Sequence, residues 1–565
     1  MATTPVMPLD AVAPRRGATV LLEVLRSEGV RYIFGNPGTT ELPLMDALVD
    51  TPDIEYIWAL QEASAVAMAD GYAQAAGRPG FLNLHTAGGL GHGMGSLINA
   101  QVSGTPLVVT AGQQDSRHNL TDPLLFGDLV RIAAPITKWA QEVVNVDQIP
   151  TLVRRAFHDC TAAPSGPVFL SLPMDVMEQM SCVGIAELSR IDRAAIAGSL
   201  PELADILAGI TPGKLAIIAG DEISQSDASA ETVVLAEALG APVFGSSWPA
   251  HIPFPTSHPL WSGNLPTRAS EIRGRLEAFD CIFALGGKSL ITILYSEGPA
   301  VPPGCAVIQM SSDVRDLGRT YSTKLSMVGD IKASLKVLQP MLDRTLARRQ
   351  NVYAGLRDAA RTARQERRDR LQADADAEWG APVTTPRVAA REVTRAIGPH
   401  VAIVDEAVAT STHVRSFLDS SSVRQYSFLR GGALGWGMPA AVGFSLGIGR
   451  EPVVSLVGDG AALYSPQAIW TAAHEKLPVT FVVMNNREYN VLKNFMKAQP
   501  HFLSAQRNRF IAMDIDDPPV DYLALARSFG VPAQRIERAG DIAGALEEAI
   551  ASGKPNLIEI PIAAT

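Results

Sequence analysis

The chain has 565 residues, of which 47% are hydrophobic and 19% are charged. This balance excludes an intrinsically disordered protein and leaves enough apolar surface for about three folded domains. The net charge of −10 argues against a nucleic-acid partner, because proteins that bind nucleic acids need a basic surface.

The cysteines and the N-terminus argue against further classes. Cys160, Cys182, Cys281 and Cys305 are scattered without CxxC spacing, so neither a disulfide framework nor a zinc site is expected. Residues 1–17 lack the apolar segment of a secretory signal, and no stretch approaches 18 uninterrupted apolar residues. We therefore expect a soluble, cytoplasmic protein with no membrane partner.

Short apolar runs recur along the chain, each followed by a turn and a helical segment. The runs are continuous rather than alternating in polarity, which is typical of parallel strands covered by helices on both faces. Strand–helix alternation of this kind predicts α/β domains. The predicted strands are 32–34, 81–84, 107–111, 168–172, 215–219, 281–285, 306–310, 401–404, 453–457, 479–484 and 556–560.

Two breaks in this alternation divide the chain into three predicted domains, each with a doubly wound parallel sheet. The first break lies near residues 180–200. The second, 341–384, includes a stretch rich in arginine, aspartate, glutamine and alanine, and it predicts a charged surface helix or linker, with a binding surface as the alternative. The predicted domains span 15–185, 195–340 and 385–565.

The third domain carries the strongest local motif. One predicted strand runs into Gly458-Asp459-Gly460, and the next ends at Asn485-Asn486. The carboxyl ends of neighbouring parallel strands lie side by side, where α/β sheets bind ligands. Asp459 and Asn486 then offer hard oxygen ligands for Mg²⁺, and the flanking glycines allow close backbone approach.

This motif resembles the cofactor signature of thiamine-diphosphate enzymes, which begins with Gly-Asp-Gly and ends with Asn-Asn. The resemblance implies that Asp459, Asn486 and the backbone carbonyl of Glu488 hold magnesium. It also implies that Leu434, in the stretch Gly-Gly-Ala-Leu-Gly at 431–435, props the cofactor in a bent conformation. The cofactor-binding residues expected in the third domain are Leu434, Gly458, Asp459, Gly460, Ala461, Asn486, Glu488 and Tyr489. A plain α/β domain with a coincidental turn is the alternative.

The first domain resembles the pyrimidine-binding domain of benzoylformate decarboxylase and its relatives along nearly its whole length. The matching stretches are 34–43, 61–63, 69–73, 83–89 and 110–114. The resemblance implies a pyrimidine-binding first domain, a middle domain and a diphosphate-binding third domain. It implies that Glu62 binds and activates the cofactor, that His85 transfers protons, and that Thr39 contacts the substrate carboxylate.

The residues alone leave plainer alternatives for these side chains. A glutamate at a helix start, as at Glu62, is favoured by the helix dipole, and His85 is by itself a strand-end histidine. Further candidate pocket residues are His92, Gln113, Val491 and Phe495.

Three departures from the family pattern bear on the reaction. Ile293 stands where benzoylformate decarboxylase has a second catalytic histidine, which leaves carboligation open. The stretch 406–409 lacks the hydroxyl residues that relatives place near the diphosphate, although Thr410 and Ser411 follow. Residues 496–517 form a basic and aromatic insertion with His501, Arg507 and Arg509, predicting a surface loop or a lid that attracts an acidic substrate.

We therefore expect a thiamine-diphosphate- and Mg²⁺-dependent enzyme that decarboxylates an aromatic or bulky 2-keto acid, as benzoylformate decarboxylase does, to an aldehyde and CO₂. The alternative is a carboligase or lyase similar to acetolactate synthase, benzaldehyde lyase or 2-hydroxyacyl-CoA lyase. A non-catalytic cofactor-binding regulator is disfavoured by the intact Glu62, Asp459 and Asn486. A flavin in the middle domain stays open. The resemblance also implies a homo-oligomer, at least a dimer and usually a dimer of dimers.

Overall fold

The structure is a computed structural model that describes residues 13–564. Within this range three six-stranded sheets form, and neighbouring strands in each of them are parallel. A short antiparallel pair joins Arg15–Arg16 to Met180–Ser181. The prediction of three parallel α/β sheets is confirmed. No helix among the described residues is long and apolar enough to span a membrane.

The chain separates into two compact units. The first contains the described residues up to Ile191 together with 431–449 and 465–475, and the second contains the rest of the described chain. The first sheet lies in the first unit, and the second and third sheets lie in the second unit. The boundaries of the three predicted domains stay a prediction.

The first sheet reverses its direction of winding near its middle. The chain places its second strand outside the first and then crosses back, so the reversal falls between Tyr32–Gly35 and Gly80–His85. The inner strands form because their side chains are apolar toward both covered faces. In spatial order the strands are Glu55–Trp58, Tyr32–Gly35, Gly80–His85, Leu107–Gln113, Val168–Pro173 and Ala140–Glu142.

Small residues allow two helices of the first unit to pack with their backbones in contact. A Cβ at Gly443 would clash with the Met68 carbonyl, and one at Gly71 would clash with the Ala440 carbonyl. Glycine is therefore required where these helices cross. The helices of this unit are Gly17–Ser27, Leu42–Leu48, Glu62–Ala76, Thr86–Ser103, Leu129–Ala133, Ile149–Thr161, Met174–Glu178, Gly437–Gly447 and Gln467–His474.

The second sheet has a different strand order, with its reversal between Leu215–Ala219 and Cys281–Leu285. When the strands are numbered along the chain, their spatial order is 3-2-1-4-5-6, the order of dinucleotide-binding folds. In space they are Trp261–Asn264, Val243–Gly245, Leu215–Ala219, Cys281–Leu285, Ala306–Ser311 and Leu325–Val328.

The third sheet repeats the order of the first, which is 2-1-3-4-6-5 when the strands are counted along the chain. Its reversal lies between Ala402–Glu406 and Val453–Gly458, and the strand Val479–Asn485 follows on the same side. In space the strands are Tyr426–Phe428, Ala402–Glu406, Val453–Gly458, Val479–Asn485, Asn556–Pro561 and Ala533–Arg535.

The charged segment after the second sheet is helical. Gln350–Glu378 forms one helix of 29 residues, in which Tyr353 and Ala375 are the buried positions. This agrees with the charged surface helix predicted there. The other helices of the second unit are Leu200–Gly209, Glu222–Gln225, Ser229–Leu239, Ala269–Leu276, Ile331–Leu346, Pro386–Ile397, Ser411–Phe417, Asp459–Ala462, Asn490–Lys497, Leu503–Arg507, Tyr522–Ser528 and Ala539–Ala551.

Candidate functional site

The reversal in the first sheet gathers polar side chains from distant parts of the chain. The loop after Tyr32–Gly35 and the end of Gly80–His85 lie side by side, which is where α/β sheets place ligand-binding groups. Residues of the short helix Thr39–Glu41 thereby meet His85. We call Thr40, Glu41 and His85 the histidine cluster.

Glu41 orients the imidazole of the histidine cluster. Its Oε2 lies 2.8 Å from His85 Nδ1 and also accepts the Gly38 backbone N–H at 2.8 Å. Thr40 Oγ1 donates to Glu41 Oε1 at 2.7 Å and lies 3.1 Å from His85 Nδ1. The Glu41 side chain is only 1% exposed, and its hydrogen bond raises the pKa of His85. His85 therefore keeps its proton to higher pH than a free imidazole.

Glu62 lies in a second group of hydrogen-bonded side chains, which we call the glutamate network. Its Oε1 accepts Asn36 Nδ2 at 3.2 Å, and its Oε2 lies 3.1 Å from His92 Nδ1. Trp58 Nε1 donates to Asn36 Oδ1 at 3.1 Å, so the amide must turn its NH₂ group toward the carboxylate. Glu62 is the first residue of Glu62–Ala76, whose N-cap Gln61 accepts the Ser64 N–H.

The other residues predicted for this part of the site have different surroundings. Thr39 is exposed, whereas its neighbour Thr40 is buried and belongs to the histidine cluster. Gln113 is buried and both ends of its amide bind backbone groups, at Gly127 and Gln114. Its role as a pocket residue stays a prediction.

The segment predicted to prop the cofactor lies in the same unit, against the helix Thr86–Ser103. Asn99 Nδ2 donates to the Ala433 carbonyl at 2.8 Å, and Ala433 N donates to Asn99 Oδ1 at 3.0 Å. Gly431 packs directly on Asn99, because a Cβ there would clash with it. Leu434, half-buried, follows this anchored residue.

In the second unit, Asp459 begins the short helix Asp459–Ala462 at the end of a central strand. Asp459 is 4% exposed, and burial raises its pKa to about 6. Its Oδ2 has no hydrogen-bond partner, while the backbone amides of Arg487 and Glu488 face the carboxylate. A buried carboxylate oxygen without a partner is costly unless it meets a cation or a donor. The Oδ2 atom of Asp459 is therefore a candidate position for a bound cation or hydrogen-bond donor.

Glycines leave room on one side of Asp459 and admit an aromatic ring on the other. Nothing lies within 4 Å of a Cβ placed on Gly458, so its backbone borders open space. A Cβ on Gly460 would clash with the Tyr489 ring, so the ring packs directly on this turn. Ala461 is buried.

The predicted partner turn has a defined local structure. Asn486 Oδ1 accepts the Glu488 N–H at 3.1 Å, which fixes the side chain and leaves a second lone pair for a cation. The Glu488 side chain accepts Asn490 Nδ2 at 2.8 Å and pairs with Lys493. Among the described residues no three His, Cys, Asp or Glu side chains gather as a metal site. A metal here would meet one carboxylate plus amide and carbonyl oxygens, a donor set that suits Mg²⁺.

The basic and aromatic insertion returns to this partner turn. Tyr489 N donates to the Met513 carbonyl at 2.8 Å, and Lys493 pairs with Asp514 as well as with Glu488. The predicted cations His501, Arg507 and Arg509 are exposed, and the predicted pocket residues Val491 and Phe495 are half-buried on Asn490–Lys497.

The structure shows the contacts of the residues at two of the positions where the sequence departs from the family pattern. Ile293 is 42% exposed, and its N–H donates to the Thr267 carbonyl at 3.1 Å. Thr410 and Ser411 donate their hydroxyls to the Ala407 and Val408 carbonyls, so both are used at the start of Ser411–Phe417.

The chain is similar to known proteins along most of its length. Residues 15–148 match the N-terminal TPP binding domain of thiamine pyrophosphate enzymes, 203–338 match their central domain, and 397–560 match their C-terminal TPP binding domain. Benzoylformate decarboxylase of Pseudomonas aeruginosa is 32% identical, and the match covers 95% of this chain and 97% of that protein. Acetolactate synthase 2 of Nicotiana tabacum is 25% identical, covering 97% and 82%.

A solved structure shows the same likeness. The thiamine diphosphate-dependent 4-hydroxybenzoylformate decarboxylase of Rhodococcus jostii RHA1 is 29% identical and superposes with a TM-score of 0.85. That match covers 98% of this chain and 100% of the other. The similarity therefore includes all three sheets.

Proposed function

Because the chain belongs to the thiamine pyrophosphate enzyme family, we propose that it decarboxylates an aromatic or bulky 2-keto acid to an aldehyde and CO₂. Family membership makes it a thiamine-diphosphate-dependent decarboxylase or carboligase, as predicted. The observation that supports decarboxylation is the histidine cluster, in which a buried carboxylate holds a protonatable imidazole at the reversal of the first sheet.

The residues fit the cofactor and its metal. Thiamine diphosphate, when bound, supplies a nucleophilic carbon and an electron sink. Asp459, Asn486 and the Glu488 carbonyl would hold Mg²⁺, which would supply positive charge for the diphosphate. The fit is supported by the unpartnered Oδ2 of Asp459 and by the open backbone at Gly458.

The residues of the first unit would perform the proton chemistry. Glu62 would hold a proton at its carboxylate and share it with the ring nitrogen of the aminopyrimidine. His85, whose pKa is raised by its hydrogen bond to Glu41, would donate a proton to the substrate carbon that carried the carboxylate. Thr39 would bind the substrate carboxylate through its hydroxyl. The product would be the aldehyde, in which hydrogen replaces the carboxylate.

A carboligase is the second candidate, and Ile293 favours it. An apolar side chain at the family's second histidine position removes one proton donor. Slower protonation would give an acceptor aldehyde time to react, so a carbon–carbon bond would form instead.

The second sheet disfavours a flavin or another dinucleotide at its reversal. Gly220 N donates to the Leu285 carbonyl at 2.8 Å, and a Cβ on Gly220 would clash with the Gly286 carbonyl, so backbone closes this crevice. The Glu222 carboxylate fills the adjacent space and accepts the Ser311 hydroxyl at 2.6 Å. Backbone and a buried acidic side chain thus occupy the crevice, and we therefore propose that no dinucleotide binds at the reversal of the second sheet.

We also propose that the protein acts as a homo-oligomer, at least a dimer, in which Glu62 of one subunit serves a cofactor held by Asp459 of its neighbour. The family resemblance supports this arrangement. Sedimentation of the purified chain with cofactor and Mg²⁺ tests it, and an active monomer would contradict it.

The function is tested by product analysis. The protein is incubated with thiamine diphosphate, Mg²⁺ and a panel of 2-keto acids, with and without acceptor aldehydes. Release of CO₂ and an aromatic aldehyde without ligation supports decarboxylation, whereas ligated products select the second candidate. Glu62→Gln should abolish turnover and leave the fold intact by circular dichroism. Near-normal turnover of this variant would contradict the role of Glu62.

A further inference from the structure

The reversal of the second sheet holds a side chain that comes from the third sheet. Arg430 follows the strand Tyr426–Phe428 by two residues, and its side chain is only 4% exposed. Its Nε lies 3.2 Å from Asp221 Oδ2 as an ion pair, and its terminal nitrogens donate to the Trp248 carbonyl and, at 3.5 Å, to the Lys288 carbonyl. These three partners follow three strands of the second sheet, at the edge where α/β sheets bind ligands. Arg430 occupies that position.

Asp221 is itself fixed before it meets the arginine. Its Oδ1 accepts the backbone N–H groups of Ala250 at 2.9 Å and of His251 at 3.3 Å, which leaves Oδ2 for the guanidinium. A buried arginine needs a counter-charge and further acceptors, and here the carboxylate supplies the charge while the two carbonyls accept its other N–H groups. All these contacts lie inside one subunit and are already buried, so they do not depend on which outer surfaces an oligomer covers.

The backbone just before Arg430 is tied to the same loop of the second sheet. Trp248 Nε1 donates to the Leu429 carbonyl at 3.0 Å, and Phe428 N donates to the Ala250 carbonyl at 2.8 Å. The Trp248 ring also meets the Phe428 ring edge-on, with 4.8 Å between the ring centroids. The end of this strand is therefore held through its backbone as well as through the arginine side chain.

The segment that follows has little stiffness of its own. The stretch 431–435 contains three glycines, and Gly432 and Gly435 have φ angles of +79° and +96°, which glycine adopts without strain. Ala433 is tied to Asn99 by the two hydrogen bonds described above. The path of this flexible stretch is therefore set by the points at which it is anchored, and the first of them is the buried arginine.

We propose that Arg430 is a positioning residue which, held by Asp221, fixes the path of 431–435 and with it the place of Leu434. The proposal deepens the proposed function and rests on it, since Leu434 can prop the cofactor only if thiamine diphosphate binds. A displaced Leu434 would support the bent conformation less well, and the loss of alignment would slow proton removal from the nucleophilic carbon, C2. The reversal of the second sheet then serves as the receptor for an internal arginine.

The test uses variants of both partners of the ion pair. Arg430→Met removes the charge and keeps an unbranched side chain, Arg430→Lys keeps the charge without the planar fork, and Asp221→Asn keeps the Oδ1 acceptor while removing the charge. A double variant combines Arg430→Met with Asp221→Asn. Arg391→Met is the matched control, because Arg391 is another mostly buried arginine of the same unit and is paired with Asp376 and Glu392.

Three quantities are measured on each full-length protein. Amide hydrogen exchange of the peptide that contains 431–435, followed by mass spectrometry without cofactor, reports how firmly the segment is anchored. Calorimetry gives the affinity for thiamine diphosphate with Mg²⁺. Deuterium exchange of the cofactor's C2 hydrogen at saturating cofactor, followed by rapid-quench NMR, reports the alignment of the bound cofactor.

The positioning role predicts a separation of alignment from binding. Arg430→Met and Asp221→Asn should exchange the amides of 431–435 faster and slow C2 exchange, by roughly 10- to 100-fold for Arg430→Met, because a small misplacement costs about that much. The affinity should stay close to that of the parent, since Asp459 and Asn486 hold the metal elsewhere in the proposed site. The double variant should match Arg430→Met, because both residues act through one contact. Arg430→Lys should fall between Arg430→Met and the parent, and Arg391→Met should match the parent.

Several results would overturn this role. They are C2 exchange within twofold of the parent in Arg430→Met and Asp221→Asn, slow C2 exchange with unchanged amide exchange, effects that multiply in the double variant, or an equal loss in Arg391→Met, which would show general destabilisation only. If circular dichroism shows that Arg430→Met does not fold, Arg430→Lys and Asp221→Asn decide the outcome. A parent protein that does not bind thiamine diphosphate, or binds it without C2 exchange, would overturn the proposed function instead, and amide exchange would still show whether Arg430 fixes the segment.

Discussion

Replacing Glu41 with glutamine should expose how much of the chemistry depends on the histidine cluster. Glu41→Gln keeps the size of the side chain and removes the charge that lies 2.8 Å from His85 Nδ1. A hydrogen bond to a charged group contributes about 1.5–3 kcal/mol, and each ~1.4 kcal/mol is a factor of ten, so kcat/KM should fall about 10- to 150-fold. The pKa of His85 should also fall, because the bond that raises it is lost.

The sign of the pH effect follows from this pair. The raised pKa of His85 means that the pair stabilises the fold below the ordinary histidine range, and this contribution is lost as the pH rises through the raised value. Urea unfolding should therefore show the largest deficit of Glu41→Gln at acidic pH, and the deficit should shrink on the alkaline side. In the profile of decarboxylation rate against pH, the limb that depends on His85 should move to lower pH.

The control for this variant is Glu28→Gln, which removes a partly buried carboxylate bound to Arg154. It should lower stability and leave the pH profile of decarboxylation unchanged. If Glu41→Gln keeps kcat/KM within twofold of the parent and its profile does not move, then Glu41 does not control the proton of His85, and the reasoning is refuted.

Three further changes separate the parts of the proposed site. Gly112→Ala places a Cβ against Glu41 Oε1 and should reduce the rate of decarboxylation strongly. Gly88→Ala is the control and should leave the rate unchanged, because its added Cβ would have nothing within 4 Å. Equal rates in the two variants would contradict the packing argument. Asp459→Asn should remove the stabilisation that the cofactor and Mg²⁺ give the folded protein, which is about 2.7 kcal/mol when the ligand is at a hundredfold excess over its Kd. A thermal-shift assay measures this stabilisation, and an undiminished shift in the variant would show that the metal is held elsewhere. Ile293→His should lower the ratio of ligated product to aldehyde by chromatography, and an unchanged ratio would mean that this position does not decide the outcome.

The inner strands were predictable from sequence because burial on both faces produces unbroken apolar runs. Leu215–Ala219 and Cys281–Leu285 have the predicted bounds, and the other predicted strands differ at their ends by one or two residues. The strands that were missed are short or partly exposed. Ala140–Glu142 and Ala533–Arg535 pair with only one neighbour and carry polar side chains, so no apolar run marks them.

The candidate roles of Glu62 and His85 were predicted from the family resemblance. The residues alone favour plainer interpretations, a glutamate at a helix start and a histidine at a strand end. Glu41 was missed because, in sequence, it is an ordinary acid near a helix start, and its partner lies 44 residues away. The general rule that ligands bind where a sheet reverses could have pointed to the loop after the first strand, although not to Glu41 rather than Thr39.

The three sheets show that strand order alone does not assign a site. The first and third sheets share one order, and in both a candidate residue lies at the end of a strand beside the reversal. His85 is the last residue of its strand, and Asp459 directly follows its strand. The second sheet has the order of dinucleotide-binding folds, yet backbone contact at Gly220 and the carboxylate of Glu222 occupy its reversal. Burial raises the pKa of Glu222, and donors from Ser311 and Ser312 hold its carboxyl group in place. The Glu222 side chain therefore fills the crevice as part of the protein's own packing. The two reversals therefore differ in structure: the backbone at Gly458 borders open space, whereas the reversal of the second sheet is closed by the protein's own backbone and side chains.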